Sequence, residues 1–245
     1  MIGILGGTFD PPHWGHVRLA ENFIKKLGLK ELIWLPAGQP WQKSQEITPS
    51  QIRYQLTLAA AAELANWVET QQLKVKIGVD RLELDRHGPS YTIDTALLLR
   101  QRHGPNTPIV WLMGEDSYNN IPTWKGWQDL LGLIHIAVAS RPHAPSVTPP
   151  LLIGAENDTL NQLKQAELEK KRIFGDNVTR NPAELSSKPF GRVFFDESFR
   201  VDLSSNRLRE DLKQDLSEEE LLKAIPPRVL ELIHSLGIYQ QRPAL

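Results

Sequence analysis

The chain has 245 residues, 40% hydrophobic and 23% charged, enough apolar material for a core and enough charge for a polar surface, which excludes disordered, collagen-like and fibrous classes. Lys and Arg total 28 against 29 acids, a net charge of -1, so no general electrostatic pull on nucleic acid or an anionic membrane is expected. Cysteine is absent, which excludes disulfide scaffolds, thiolate zinc sites and cysteine nucleophiles and makes a cytoplasmic location the expectation. The first residues carry no signal-peptide pattern, and no run approaches the roughly 20 apolar residues of a membrane helix.

In chain order, Ile2 to Leu5 reads as a short buried strand running into Gly6-Gly7. Val17, Ala20, Phe23, Ile24 and Leu27 then recur at helical spacing, and Gly28 suits a left-handed helix stop. Glu31 to Pro36 reads as a second buried strand. Thr48-Pro49-Ser50-Gln51 predicts a helix start with Thr48 as N-cap and Pro49 in the first helical position, the helix running to about Trp67. Leu73 to Val79 reads as a strand, Thr92 to Arg102 as a helix and Ile109 to Met113 as a strand. Trp124 to Leu131 reads as a helix, followed by the strand Ile134 to Ala139.

From Arg141 to Pro189 the pattern weakens, with a proline-marked loop and a polar helix over Gln162 to Arg172. Arg192 to Phe195 reads as one more strand. From Ser204 onward the chain reads as a helical cluster with a capping box at Ser217 and Glu220. Strands alternating with helices predict an α/β, Rossmann-like fold: a mostly parallel sheet covered by helices on both faces, with a small helical C-terminal part. The expected division is a core over residues 1–200, with an irregular insertion at 141–189, and a helical part of the same domain over 201–245. Ligands would bind at the carboxyl ends of the strands.

The segment Gly6-Gly7-Thr8-Phe9-Asp10-Pro11-Pro12-His13-Trp14-Gly15-His16 carries the chemistry. It is a glycine loop between a strand and a helix, which directs backbone N–H groups at an anion. Two imidazoles three residues apart at the helix start share a face and can both donate to phosphate oxygens. Glycine turns and surface histidines are common singly; their joint occurrence at this junction points to phosphate handling. The segment lacks the G-x-G-x-x-G spacing of a dinucleotide fold, and no G-x-x-x-x-G-K-[ST] loop exists in the chain.

This segment resembles the G-G-T-F-D-P-x-H-x-G-H signature of the H-x-G-H nucleotidyltransferases. Pro36 to Lys43, Pro89-Ser90-Tyr91-Thr92-Ile93-Asp94-Thr95, Gly114-Glu115-Asp116 with Trp124, and Leu203 to Arg209 resemble, in order, segments of the bacterial nicotinate-nucleotide adenylyltransferases. Asn206 stands where that family usually has threonine, and Trp41-Gln42 where it more often has Pro-His.

The resemblance implies adenylyl transfer from ATP to nicotinate mononucleotide, with Mg²⁺ carried on ATP and no protein-built metal site. It assigns His13, His16, Lys43 and Arg209 to the reacting phosphates. Gly6, Gly7, Thr8, Phe9, Gly15, Gly114, Asp116, Ser204 and Ser205 would bind ATP, and Tyr91, Thr92 and Trp124 the nicotinate nucleotide. Asp10 is either a brace of the loop or a substrate contact, and Arg86 and Arg141 are weaker substrate candidates. His87, His103, His135 and His234 have no ligand partner at suitable spacing and read as structural. A preference for nicotinamide mononucleotide, another H-x-G-H transferase, and a nucleotide sensor without turnover are the competing readings.

Overall fold

A computed structural model describes residues 1–40, 47–140, 172–199, 205–214 and 216–239. Seven strands form one sheet: β1 (Ile2–Gly7), β2 (Glu31–Pro36), β3 (Lys76–Val79), β4 (Ile109–Gly114), β5 (His135–Ala139), β6 (Val178–Thr179) and β7 (Val193–Asp196). Their order is β3-β2-β1-β4-β5-β7-β6, and every described pairing is parallel. The Rossmann-like α/β expectation holds.

Strand alternation sorts the core into two layers. Leu5, Leu32, Trp34, Val110, Leu112, Ala137 and Phe194 face one apolar cluster, where α1 (Trp14–Leu27) and α2 (Ser50–Thr70) pack. Ile4, Ile33, Leu35, Trp111, Met113, Ile136 and Val193 face the other, which α3 (Thr92–His103) covers. Both faces are buried, so the strands read as continuous apolar runs.

α1 ends as its sequence predicts, with Gly28 left-handed at φ 60° and its N–H donating to the Ile24 carbonyl. The capping box at Ser217 also forms: its Oγ accepts from the Glu220 N–H at 3.3 Å, and Glu220 Oε2 accepts from the Ser217 N–H at 3.0 Å. It opens the helix Glu218–Ala224, which with Pro227–Leu236 packs back on the first layer. Trp14 Nε1 donates to the Leu222 carbonyl at 3.0 Å across that seam.

Two sequence readings need correction. Thr48 does not cap α2: Pro49 holds the cap position, and Thr48 Oγ1 donates instead to the Tyr239 hydroxyl at 3.1 Å. Trp124 to Leu131 is not one helix. Gly126, left-handed at φ 61°, separates the 3₁₀ turn Ile121–Thr123 from the 3₁₀ turn Trp127–Gly132, and Trp124 sits between them in extended backbone. The described part of the irregular stretch holds β6 and the short helix Ala183–Ser187. Of the polar helix expected over Gln162 to Arg172 only Arg172 is described; residues 141–171 lie outside the described residues. Among the described residues no helix is long and apolar enough to cross a membrane.

Candidate active site

The chain runs outward from β1 to β2 and β3, then returns to place β4 on the other side of β1. That reversal splays the loops after β1 and β4 and opens a crevice at their carboxyl ends. A cavity of about 360 Å³ lies there, walled by Leu5 to Phe9, by Trp111 to Gly114 and by residues of neighbouring loops.

The structure brings nine of the sequence candidates to this cavity: Gly6, Gly7, Thr8, Phe9, His16, Thr92, Gly114, Trp124 and Ser205. A Cβ on Gly6 would fall 2.3 Å from the Trp111 ring, so no larger side chain fits between the strand end and that indole. Phe9 is left-handed at φ 52°, a conformation costly for a bulky residue. Its ring, 1% exposed, is held edge-on to His16 at 5.1 Å and against Trp34 at 5.2 Å.

Other candidates stand back from the cavity wall. His13 is the N-cap residue of α1, 4% exposed, its ring 3.8 Å from that of His16. Of the two imidazoles, His16 contributes to the cavity wall and His13 is buried against it. The reason is the helix start itself. His16 Nδ1 accepts the His13 backbone N–H at 3.2 Å, which puts the proton of a neutral His16 ring on Nε2. Gly15, Tyr91, Asp116 and Arg209 also lie outside the lining, Tyr91 with Lys125 Nζ 4.6 Å over its ring. Lys43, Ser204 and Arg141 fall outside the described residues.

Burial pushes the His13 imidazole down to about 4, and its Nδ1 has no hydrogen-bond partner among the described residues. His135 is also pushed down, chiefly by burial. Its Nδ1 accepts the Arg192 N–H at 3.0 Å, so Nε2 carries the proton and donates to the Lys188 carbonyl at 2.9 Å, a structural cross-link. The unfolded chain therefore takes up protons that the fold refuses. Stability is full above about pH 6.5, the ordinary histidine pKa, and falls as pH drops from there toward 4. We expect urea denaturation to show about 2 kcal/mol less stability at pH 5 than at pH 7 from His13 alone. His13→Asn should flatten that dependence; an unchanged slope would contradict the assignment.

Trp124 owes its place to the break at Gly126. Its ring packs on the second core layer and lines the cavity, while its Nε1 is buried with no hydrogen-bond partner among the described residues. Thr92 opens α3, whose first-turn N–H groups lack intrahelical acceptors and favour an anion. Ser90 docks this segment on the loop after β2: its Oγ accepts from the N–H groups of Gly38 at 3.0 Å and Gln39 at 3.3 Å. Ser205 opens the helix Ser205–Asp211, and its hydroxyl donates to the Pro11 carbonyl at 3.0 Å rather than capping.

Sequence reasoning missed three residues that hold this site together. Arg53, 1% exposed, donates from Nη1 to the Thr8 carbonyl at 2.8 Å, from Nη2 to Gly38 at 3.0 Å and from Nε to Thr48 at 2.9 Å. It joins the loops after β1 and β2 to the start of α2. Glu83, 5% exposed, lines the cavity and accepts the Thr95 hydroxyl at 2.7 Å; burial pushes its carboxyl upward. Tyr239 donates to Asp10 Oδ1 at 2.5 Å, and burial followed by that bond pushes its phenol upward, so it stays a donor. Asp10 is thus braced within the fold. A signal for Arg53 did exist: it shares the helical stripe of Leu56, Thr57, Ala60 and Leu64, an arginine on an apolar face. Among the described residues no cluster of three or more His, Asp or Glu could hold a metal.

The cytidylyltransferase-like family matches residues 4–211 of the chain. A relative from Pectobacterium atrosepticum named probable nicotinate-nucleotide adenylyltransferase is 34% identical over 240 residues, covering 98% of this chain and 99% of its own. Another of that name, from Methylococcus capsulatus, is 32% identical over 98% of this chain and 99% of its own. The Salmonella typhimurium nicotinate-nucleotide adenylyltransferase is 29% identical over 97% of each. Among solved structures, the nicotinic acid mononucleotide adenylyltransferase of Plasmodium falciparum complexed with NaAD superposes with a TM-score of 0.65 at 16% identity. The match covers 97% of this chain and 96% of that one, and at this identity it speaks to the fold.

Proposed function

This chain belongs to the cytidylyltransferase-like family and, within it, to the nicotinate-nucleotide adenylyltransferases, and from that membership we infer that it transfers the adenylyl group of ATP to nicotinate mononucleotide. The products are nicotinate adenine dinucleotide, a precursor of NAD, and pyrophosphate. One observation supports this reading above the others: His16 on the phosphate-type loop and Trp124 beside the start of α3 wall the same cavity. A phosphate donor and an aromatic acceptor nucleotide would there lie side by side.

In the reaction, a phosphate oxygen of nicotinate mononucleotide attacks the α-phosphorus of ATP. The bond from that phosphorus to the oxygen bridging the β-phosphate breaks, and pyrophosphate leaves with the electron pair. A nucleotide monophosphate is largely dianionic at neutral pH, since its second pKa is about 6, so no general base is required. The protein supplies alignment and donors for the charge that develops on the phosphoryl oxygens. His16, donating from Nε2, fits that role, with N–H groups of the glycine loop beside it and His13 behind. Arg209 and Lys43 would take the β- and γ-phosphates, Arg209 as a planar fork. Trp124 would stack on the pyridine ring and the N–H groups at Thr92 would receive its carboxylate. Mg²⁺ would enter on ATP, as part of the substrate, keeping several of its own waters. The reaction would run in the cytoplasm, where ATP is available.

The test is pyrophosphate release with Mg²⁺ and ATP, offering nicotinate mononucleotide and nicotinamide mononucleotide in parallel. Fast turnover with the acid and slow turnover with the amide is the expected result. Equal rates would overturn the pocket at Thr92 and Trp124. No turnover with either, despite ATP binding, would overturn the reaction and favour a sensor.

A further inference from the structure

The loop after β1 is held from the far end of the chain. Tyr239 lies two residues beyond Gly237, the left-handed cap of the helix Pro227–Leu236, and is itself left-handed at φ 64°. Its ring packs against the first core layer, and its hydroxyl sits between Asp10 Oδ1 at 2.5 Å and Thr48 Oγ1 at 3.1 Å. Gly237 and Tyr239 lie outside residues 4–211, the stretch over which the chain matches the cytidylyltransferase-like family, whereas Asp10 and Thr48 lie inside it.

Asp10 is 2% exposed and has two cations near it. The donors of Arg53 go to the carbonyls of Thr8, Gly38 and Thr48. Arg209 Nη1 is 3.9 Å from Asp10 Oδ2 and donates to the Asp10 backbone carbonyl at 2.6 Å, while its Nη2 donates to Asn206 Oδ1 at 2.8 Å. The carboxylate oxygens are served by other donors: Oδ1 by the phenol, Oδ2 by the Thr48 N–H at 3.4 Å.

We propose that Tyr239 is a positioning residue for Arg209: by occupying Oδ1 of Asp10 it keeps the buried carboxylate from drawing the guanidinium into a closed ion pair, leaving that cation for the triphosphate of ATP. A carboxylate has about four acceptor sites, and a buried one stripped of a donor recruits the nearest alternative. Here that is Arg209, whose fork can close bidentately on a carboxylate. The C-terminal residues thereby set the charge presented to one substrate and not the other. This inference rests on the adenylyl-transfer reading and adds a residue to its ATP side.

Tyr239→Phe keeps the ring and removes the hydroxyl. The wild-type protein is assayed first for pyrophosphate release, and its activity tests the reaction by itself. Steady-state kinetics of the variant should then show KM for ATP raised about tenfold, the equivalent of one lost charged contact, with KM for nicotinate mononucleotide within about twofold. Adding Asp10→Asn removes the anion that attracts Arg209 and should return KM for ATP toward the wild-type value. Binding of Mg²⁺–ATP alone by calorimetry provides the same comparison without turnover. If both KM values rise together, or only the melting midpoint falls, Tyr239 merely anchors the tail and the proposal fails. It fails equally if the second substitution gives no recovery.

Discussion

His16→Ala should lower kcat by about 10²–10³-fold, about 2.7–4 kcal/mol of transition-state stabilisation, as removing one preorganised donor to a developing oxyanion does elsewhere. The ring is the only imidazole on the cavity wall among the described residues, and the hydrogen bond from the His13 N–H leaves its proton on Nε2. Its loss also removes the acceptor for that N–H and the edge contact to Phe9 at 5.1 Å. Those are local helix-start interactions worth about 1 kcal/mol, small beside the total stability of a domain. A large drop in single-turnover rate with a nearly unchanged denaturation midpoint is therefore the expected pair of results. A near-normal rate would remove His16 from the chemistry and leave the glycine loop as a binding element alone.

Arg53→Met should cost about 3–5 kcal/mol of folding stability, the usual range when one member of a buried charged network is removed. Methionine keeps most of the length and apolar bulk, so the effect reports the guanidinium rather than a cavity. Three carbonyls, of Thr8, Gly38 and Thr48, lose their donor together. The buried carboxyl groups of Asp10 and Glu83 lose a nearby positive charge as well. Because Thr8 and Gly38 belong to loops on different strands, both substrate KM values should also rise, unlike the one-sided effect expected at Tyr239. Arg53→Lys retains the charge but not the fork and should fall between the two. Urea denaturation checks the first expectation; a loss under about 1 kcal/mol would show that other contacts hold the loops.

Sequence reading reached furthest where the cause is local. β1, the glycine turn and α1 follow from an apolar run, two glycines and a 3.6-residue stripe, and Gly28 ends the helix because it adopts φ 60° without strain. Trp124 was misplaced because residues 124, 127, 130 and 131 satisfy helical spacing, while the break depends on Gly126 taking a left-handed conformation. Thr48 was misread for a different reason. Its hydroxyl has two competing partners, the first-turn N–H groups of α2, from which a cap accepts, and the Tyr239 hydroxyl, to which it donates 191 residues away.

The sequence by itself determined a parallel α/β sheet with a glycine loop after the first strand, because strand period, helix period and turn chemistry are written in neighbouring positions, and the resemblance of its motifs pointed to the nucleotidyltransferases. Only the tertiary structure decided which imidazole faces the cavity, that Arg53 ties three backbone segments together, and that Tyr239 reaches Asp10 across 229 residues. Those outcomes depend on which buried donor finds which acceptor once water is gone. A buried polar group must take whatever partner the packed chain brings to it, and that partner's distance along the sequence leaves no periodic trace.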